Sequence, residues 1–438
     1  MIPGPWREMI LDAARPRPIG RVCRMVGLHL EVEGVDAAIG EGLYVQLDDR
    51  KVSAEVVAIR DGRLICMPYG DLEGVRFGSV AVPMRRPPRL AVGPALLGRV
   101  IDAEGVPLDG RGPIEAESFV IATQLAPPPM SRPLIDSALS LGTSVLDTMV
   151  PCGKGQRLGI FAGAGVGKSS LLSMIIRGTE ADVKVLALVG ERGREVREFI
   201  ENDLSALGLT SAVVVVATSD QPALLRIRAA LVATRIAEYF RDLGNDVLLI
   251  MDSLTRLAMA QREVGLSSGE PPSQRGYPPS VNSLMARLLE RAGRNESGSI
   301  TALYSILVDG DDLMDPVADA ARSILDGHIT LSRERAQMAK FPAVEVLESI
   351  SRLESSILSD SQMALVREAR SHLATYAASK DLVEVGAYRP GTNLRLDRAL
   401  SIIPRIEEVF CQDVKVTVTA AESWRRLEEA LHGGQSGV

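Results

Sequence analysis

The chain has 438 residues, too many for one compact core, and its 46% hydrophobic and 24% charged residues describe a folded protein of two or three domains. A formal net charge of −7 argues against a dedicated nucleic-acid binder, and no apolar run reaches the roughly 18 residues that span a bilayer. Pro3, Pro5 and Glu8 stand where an export signal would place its apolar centre, and Cys23, Cys66, Cys152 and Cys411 form no C-x-x-C pair. The expectation is a cytoplasmic protein with four buried thiols, without a zinc site or disulfide framework.

At the N-terminus, Trp6, Met9, Ile10 and Ala13 have helical spacing and form one apolar face, fit either to pack on the next domain or to dock a partner. From Gly20 to about Pro83, short alternating runs follow. Leu28, Leu30 and Val32 alternate with His29 and Glu31, and Val52, Ala54 and Val56 with Ser53 and Glu55. Asp61-Gly62 separates the second run from Leu64-Ile65-Cys66-Met67, and strands so spaced predict a small antiparallel β-barrel. Pro83-Met84-Arg85-Arg86-Pro87-Pro88 is a stiff linker.

The middle of the chain alternates strands with helices. Val183–Val189, Ala212–Val216, Val247–Met251 and Thr301–Val308 are almost wholly apolar, as strands covered on both faces must be. Thr218-Ser219-Asp220 and Pro222 predict a helix start. The pattern is α/β, a parallel doubly wound sheet. After about Leu353 the strands stop, and residues Ser356–Ala378, Leu396–Phe410 and Ala420–Leu431 predict a helical C-terminal domain, interrupted at Pro390-Gly391. The expected domains are 1–18, a docking segment; 19–88, the barrel; 89–355, the α/β core; and 356–438, the helical domain.

Between the apolar run Leu158–Phe161 and the helix former Ser170–Ile176 lies Ala162-Gly163-Ala164-Gly165-Val166-Gly167-Lys168-Ser169. A glycine-rich turn from strand to helix aims consecutive N–H groups and a helix N-terminus at phosphate oxygens. Gly163, Ala164, Gly165, Val166, Gly167 and Ser170 complete the cradle, Lys168 reaches the β- and γ-phosphates, and Ser169 holds Mg²⁺. Ala162 departs from the glycine of G-x-x-x-x-G-K-[ST], but a small residue fits there. The chain is expected to bind a nucleoside triphosphate. Val247–Met251 ends in Asp252, which alone fits a helix cap; beside this loop, with Ser253-Leu254-Thr255-Arg256 following, it fits the Mg²⁺ shell better. Val189-Gly190-Glu191-Arg192 puts Glu191 at a strand's C-terminal end, where it fits either a water-polarising acid or a solvated charge cluster.

Leu97-Gly98-Arg99-Val100-Ile101-Asp102, Gly155-Gln156-Arg157, Gly190-Glu191-Arg192 and Met251-Asp252-Ser253, with the phosphate loop, resemble catalytic subunits of the rotary ATPase superfamily. Gly269–Ser280, Asp326-Gly327-His328-Ile329, Phe341-Pro342-Ala343-Val344 and Ser349-Ile350-Ser351-Arg352 most resemble the type III protein export ATPases, and Val385-Gly386-Ala387-Tyr388 resembles the flagellar members. The resemblance implies a barrel, a P-loop NTPase core and a helical cap, with ATP and Mg²⁺ as cofactors. It implies Glu191 as the water-activating base, Asp252 in the metal shell, Arg192 and Arg256 near the γ-phosphate, and Phe341 stacked on adenine where the family usually has tyrosine. It also implies that Arg352 is an arginine finger reaching into the neighbouring subunit's site. Because one chain carries Glu191, Asp252 and Arg352, six copies would form six equivalent sites in a homohexamer.

The implied function is ATP-driven protein export. The implied partners are a regulatory subunit, a central stalk, the export gate, chaperones and flagellar substrates, with peripheral contact at the cytoplasmic face of the inner membrane and no nucleic acid. A virulence-type secretion ATPase and a nucleotide-binding subunit of a rotary membrane ATPase are the alternatives. The resemblance turns the loop around Tyr277 toward a central channel, although a rigid surface loop fits too. His328 is read as structural. Asp309, Asp311, Asp312 and Asp315 lack the glycine and bidentate glutamate of a calcium loop and read as a polar turn.

Overall fold

The computed structural model describes residues 18–85, 87–204, 209–308 and 315–433. Strands β1 (Gly20–Val26), β2 (His29–Glu33), β3 (Gly42–Gln46), β4 (Lys51–Arg60), β5 (Arg63–Pro68) and β6 (Val80–Pro83) close into an antiparallel barrel in the order β1-β2-β5-β4-β3-β6. Val52, Ala54 and Val56 all point inward, because side chains on a strand alternate faces. Asp61 and Gly62 both adopt positive φ, 51° and 74°, the twist that a two-residue hairpin needs between β4 and β5. Leu30 and Val32 are buried as the alternation requires, but Leu28 is not. The chain turns at Gly27, with φ 56°, and leaves Leu28 exposed before β2 begins.

Two small pairings follow the barrel: β7 (Arg89–Val92) with β9 (Ser118–Ile121), and β10 (Ala138–Leu139) with β11 (Cys152–Gly153). The main sheet takes β8 (Val100–Asp102), β12 (Arg157–Ala162), β13 (Val183–Glu191), β14 (Ala212–Thr218), β15 (Asp246–Asp252), β16 (Gly293–Arg294), β17 (Ser299–Leu307), β18 (Gly327–Thr330) and β19 (Ile350–Ser351). Its order is β19-β18-β12-β17-β15-β13-β14-β8, with β16 beside β17. The pairings are parallel except β16 on β17 and β18 on β19, so the long strands all end on one edge.

The apolar strands separate two cores by residue parity. Val183, Val185, Ala187 and Val189 of β13 face a layer that includes helices Ala223–Asp242, Leu254–Ser267, Pro279–Leu289 and Pro316–Ile324. Leu186 and Leu188 face the opposite layer, which holds helices Ser144–Met149 and Lys168–Gly178 and, beyond them, residues of the C-terminal helices. Each buried Val or Leu side chain contributes about 1.5–3 kcal/mol, so a run apolar on both faces is stable only between two covering layers.

Helices Asp360–Ala377, Leu394–Phe410 and Ala420–His432 form the C-terminal bundle. Each begins at a capping side chain: Ser359 in a reciprocal box with Gln362, Asn393, and Thr419. A short helix, Lys380–Glu384, lies in the interval that the sequence pattern left without structure. The helix expected near Pro222 starts at Ala223 with Pro222 itself at the cap position, and no side chain caps it. Among the thiols, Cys66 and Cys152 are buried, but Cys23 is half-buried and Cys411 exposed. Cys23 lies where the β1–β2 register shifts, and Cys411 follows the last turn of its helix, where Phe410 takes the inward position. Trp6, Met9, Ile10 and Ala13, like Asp309, Asp311 and Asp312, lie outside the described residues, while Asp315 caps helix Pro316–Ile324 by accepting from the Val317 and Ala318 N–H groups.

Candidate active site

Parallel pairing brings the ends of β12, β13 and β15 to one edge of the sheet, and a cavity of about 700 Å³ opens there. It falls within the roughly 300–1,000 Å³ typical of cofactor pockets. Gly163, Ala164, Gly165, Gly167, Lys168, Ser169 and Ser170 line one side, and Glu191, Arg192, Asp252 and Arg256 face them. Gly165 and Gly167 have φ of 75° and 89°, the left-handed region where a Cβ is costly. Val166 instead buries its side chain in the core below the loop.

Phe341 does not line this cavity but stands beside it. A Cβ on Gly167 would lie 3.0 Å from the Phe341 Cε1 atom, so glycine is what lets the ring approach the loop. The Phe341 carbonyl accepts from the Gln412 N–H at 2.8 Å, which ties the ring's segment to the C-terminal domain.

Lys168 donates to Asp252 Oδ1, and Glu191 Oε1 lies 3.9 Å from its ammonium. Asp252 is buried, and its Oδ1 also accepts from Ser305 Oγ at 2.6 Å. Burial raises the Glu191 carboxyl above its ordinary value, and the Asp252 carboxylate adds to the effect, while Lys168 and Arg256 oppose it. The Arg256 stem passes directly over Gly190, where a Cβ would lie 2.9 Å from Arg256 Cβ. Buried Arg256 Nε has no hydrogen-bond partner among the described residues, and Arg256 lines the same pocket as the glycine-rich loop. Arg192 is 80% exposed and pairs with Glu195 at 3.2 Å, so it stands at the cavity's rim.

The donor set fits a nucleoside triphosphate and a hard cation. A glycine cradle and Lys168 suit phosphate, and the Ser169 hydroxyl with the Glu191 and Asp252 carboxylates offers the oxygen donors Mg²⁺ prefers. Arg352 is elsewhere. It is exposed, donates from Nη2 to the Arg322 carbonyl at 3.4 Å, and borders a different surface cavity with Ser351 and Arg370. The chain therefore brings Lys168, Ser169, Glu191, Asp252, Arg192 and Arg256 together and keeps Arg352 apart.

Ser305 was missed by the sequence reading. Its signal was a small hydroxyl, buried like Thr301 and Tyr304, inside the largely apolar run Thr301–Val308, since a buried hydroxyl needs a partner. Thr255 was also missed; its Oγ1 accepts from the Leu307 N–H at 2.9 Å and joins β17 to the helix that follows Asp252. His328 packs edge-on against Phe161 with ring centroids 5.6 Å apart, and burial lowers its pKa; it is half-buried on β18 and does not line the cavity. Tyr277 is partly buried, with the Arg262 guanidinium 5.3 Å from its ring, so the proline-rich segment is anchored at that point.

Residues 142–351 match the ATP synthase alpha/beta family, nucleotide-binding domain, and residues 358–429 match the T3SS EscN ATPase C-terminal domain. The chain is 48% identical to a flagellum-specific ATP synthase of Bacillus subtilis over 407 residues, 92% of this chain and 93% of the relative. It is 48% identical to a type 3 secretion system ATPase of Xanthomonas euvesicatoria, over 90% of each chain. Its structure matches that of assembled EscN in complex with its central stalk EscO, from enteropathogenic E. coli, with a TM-score of 0.88 and 39% identity over 94% of this chain and 100% of the other. The chain belongs to the ATP synthase alpha/beta family and, within it, to the flagellar and type III secretion ATPases.

Proposed function

We propose that the chain is the ATP-hydrolysing motor of a flagellar protein export apparatus, working as a homohexameric ring. One observation carries the reading: Lys168, Glu191 and Asp252 share a cavity, while Arg352 stands exposed outside it. A phosphoryl-transfer site divided in this way is completed by a second copy.

Gly163 to Ser170 cradle the phosphates, Lys168 neutralises β- and γ-oxygens, and Phe341 stacks on the base. Ser169 and Asp252 hold Mg²⁺, which when bound offsets charge on the phosphates. Glu191 orients and polarises the attacking water. Arg256 and Arg192 face the γ-phosphate, and Arg352 of the adjacent subunit neutralises charge in the transition state. The barrel (19–88) and helical domain (356–438) flank the catalytic core (89–355), and the segment 1–18 docks a regulatory subunit. A central stalk, the export gate, chaperones and flagellar substrates are the remaining partners; the EscN–EscO complex supports the stalk. No helix among the described residues is long and apolar enough to cross a membrane, which fits peripheral contact with the inner membrane's cytoplasmic face.

If sites are shared, specific activity rises with protein concentration through the assembly range. A turnover number independent of concentration from well below to well above that range overturns the shared site. Cells lacking the protein are expected to lose flagellar filaments while still making flagellin. Intact filaments in such cells would overturn the flagellar assignment and favour a non-flagellar type 3 secretion system, such as the Xanthomonas relative's name describes.

A further inference from the structure

Two sequence stretches that the catalytic roles leave unused meet where β12 and β18 begin. Gln156, the residue before β12, is fully buried. Its Nε2 donates to Ser351 Oγ at 3.0 Å and to the Asp326 carbonyl at 3.2 Å, and its Oε1 accepts from the Gly153 N–H at 2.8 Å. The side-chain amide thus has donor and acceptor both engaged, which is how a buried amide becomes a rigid spacer. Next to it, Arg157 grips the Asp326 carboxylate at two points, Nε to Oδ2 at 3.0 Å and Nη2 to Oδ1 at 3.1 Å.

The same Asp326 carbonyl accepts from the Arg352 N–H at 3.0 Å. Gly327 then pairs with Ser351, and a Cβ on Gly327 would lie 2.3 Å from the Ile350 carbonyl, so only glycine allows β18 and β19 so close. Gln156, through Ser351 and the Asp326 carbonyl, and Arg157, through Asp326, reach the backbone from which the Arg352 side chain departs, while Arg157 also pairs with Glu290 at 2.6 Å. None of these contacts touches the nucleotide cavity, which lies at the opposite end of β12.

We infer that Gln156, Arg157 and Asp326 are positioning residues for Arg352, setting the direction in which a subunit offers its arginine to the neighbouring site. This rests on Arg352 acting in trans, as proposed above. It adds that the strand leading to a subunit's own phosphate loop is also the support of the arginine it presents elsewhere. An arginine on a long flexible stem is effective only if its backbone is held, and small misplacements of a catalytic group cost roughly 100-fold in rate.

The test is Gln156→Met, which keeps the length and removes every hydrogen bond of the amide. In full-length rings, kcat is expected to fall roughly 10- to 100-fold, with ATP affinity and KM at the wild-type value. Mixed rings then locate the defect. Gln156→Met combined with Glu191→Gln recovers activity, because a site on the Gln156→Met subunit receives a well-held Arg352 from its neighbour. Combined with Arg352→Ala it does not recover, because no subunit in that ring presents a well-held arginine. The reverse pattern, recovery with Arg352→Ala but not with Glu191→Gln, would place Gln156 in its own subunit's site and overturn the inference. So would full activity of Gln156→Met, or failure to recover with either partner while Arg352→Ala and Glu191→Gln complement each other. If that control pair itself fails to complement, it is the shared site that falls. Ser351→Ala removes a single hydroxyl from the cluster and is expected to show the same complementation pattern should Gln156→Met fail to fold.

Discussion

Replacing Glu191 by glutamine keeps the side chain's length and volume and removes one negative charge from the cavity. Across 3.9 Å, at an effective dielectric of about 20, the Glu191–Lys168 attraction is about 4 kcal/mol before the cost of desolvating either group. Without it, Lys168 retains Asp252 as its partner, and the cavity loses a carboxylate that repels phosphate oxygens. ATP affinity in Glu191→Gln is therefore expected to stay at the wild-type level or tighten. Turnover should behave oppositely. A positioned general base contributes roughly 10²- to 10⁴-fold, about 3–5 kcal/mol of barrier, and glutamine cannot take a proton. Lys168→Ala provides the contrast, since it removes a ground-state phosphate contact and should abolish tight binding. The assay pairs steady-state phosphate release with ATP binding on the assembled protein. Near-wild-type turnover in Glu191→Gln would refute the base, and loss of ATP binding would refute the electrostatic argument.

Burial and the Asp252 carboxylate hold the Glu191 pKa above its ordinary value, and a base must be deprotonated to act. The acid limb of kcat/KM is therefore expected above the ordinary glutamate range; a limb at or below it would contradict the assignment. The same raised pKa means that the folded state binds this proton more tightly. The stability it contributes is full below the unfolded value and is lost as pH rises through the folded one, so Glu191→Gln should melt higher than wild type at neutral pH. Ser305→Ala removes the hydroxyl that holds Asp252 Oδ1 at 2.6 Å, and hydrogen bonds to charged groups contribute about 1.5–3 kcal/mol. A fall in kcat/KM of roughly tenfold to a hundredfold is expected, restored by Ser305→Thr; unaltered kinetics would make Ser305 irrelevant to the site. Phe341→Ala should weaken ATP binding about tenfold with kcat spared, and Phe341→Tyr should bind like wild type, because stacking needs the ring face. Equal nucleotide affinity in Phe341→Ala would remove the ring from the binding site.

Much of the protein is local in origin and therefore legible in the sequence. The strand–glycine loop–helix unit at Leu158–Ile176 is defined by consecutive residues, and so is the period-2 pattern that builds the barrel. The fully apolar strands announce a sheet covered on both faces, because no other arrangement removes both sets of side chains from water. The positions of Asp252 and Glu191 are legible too, because a charge at the end of an apolar strand marks the strand's exit, whereas the role of Glu191 is what the family resemblance implies. Tertiary structure decided the rest, because it depends on which strands become neighbours. Nothing local says that Ser305 faces Asp252, since β17 and β15 pair over a separation of 53 residues. Nothing local tells that Leu28 and Cys411 end in solvent, because each sits one residue beyond the end of its element. Gln156 and Asp326 stand 170 residues apart and meet only because β18 adds to the edge of β12. The sequence by itself determined the chemistry available to this chain. Chain pairing over long separations decided which of those groups share a cavity and left Arg352 facing outward.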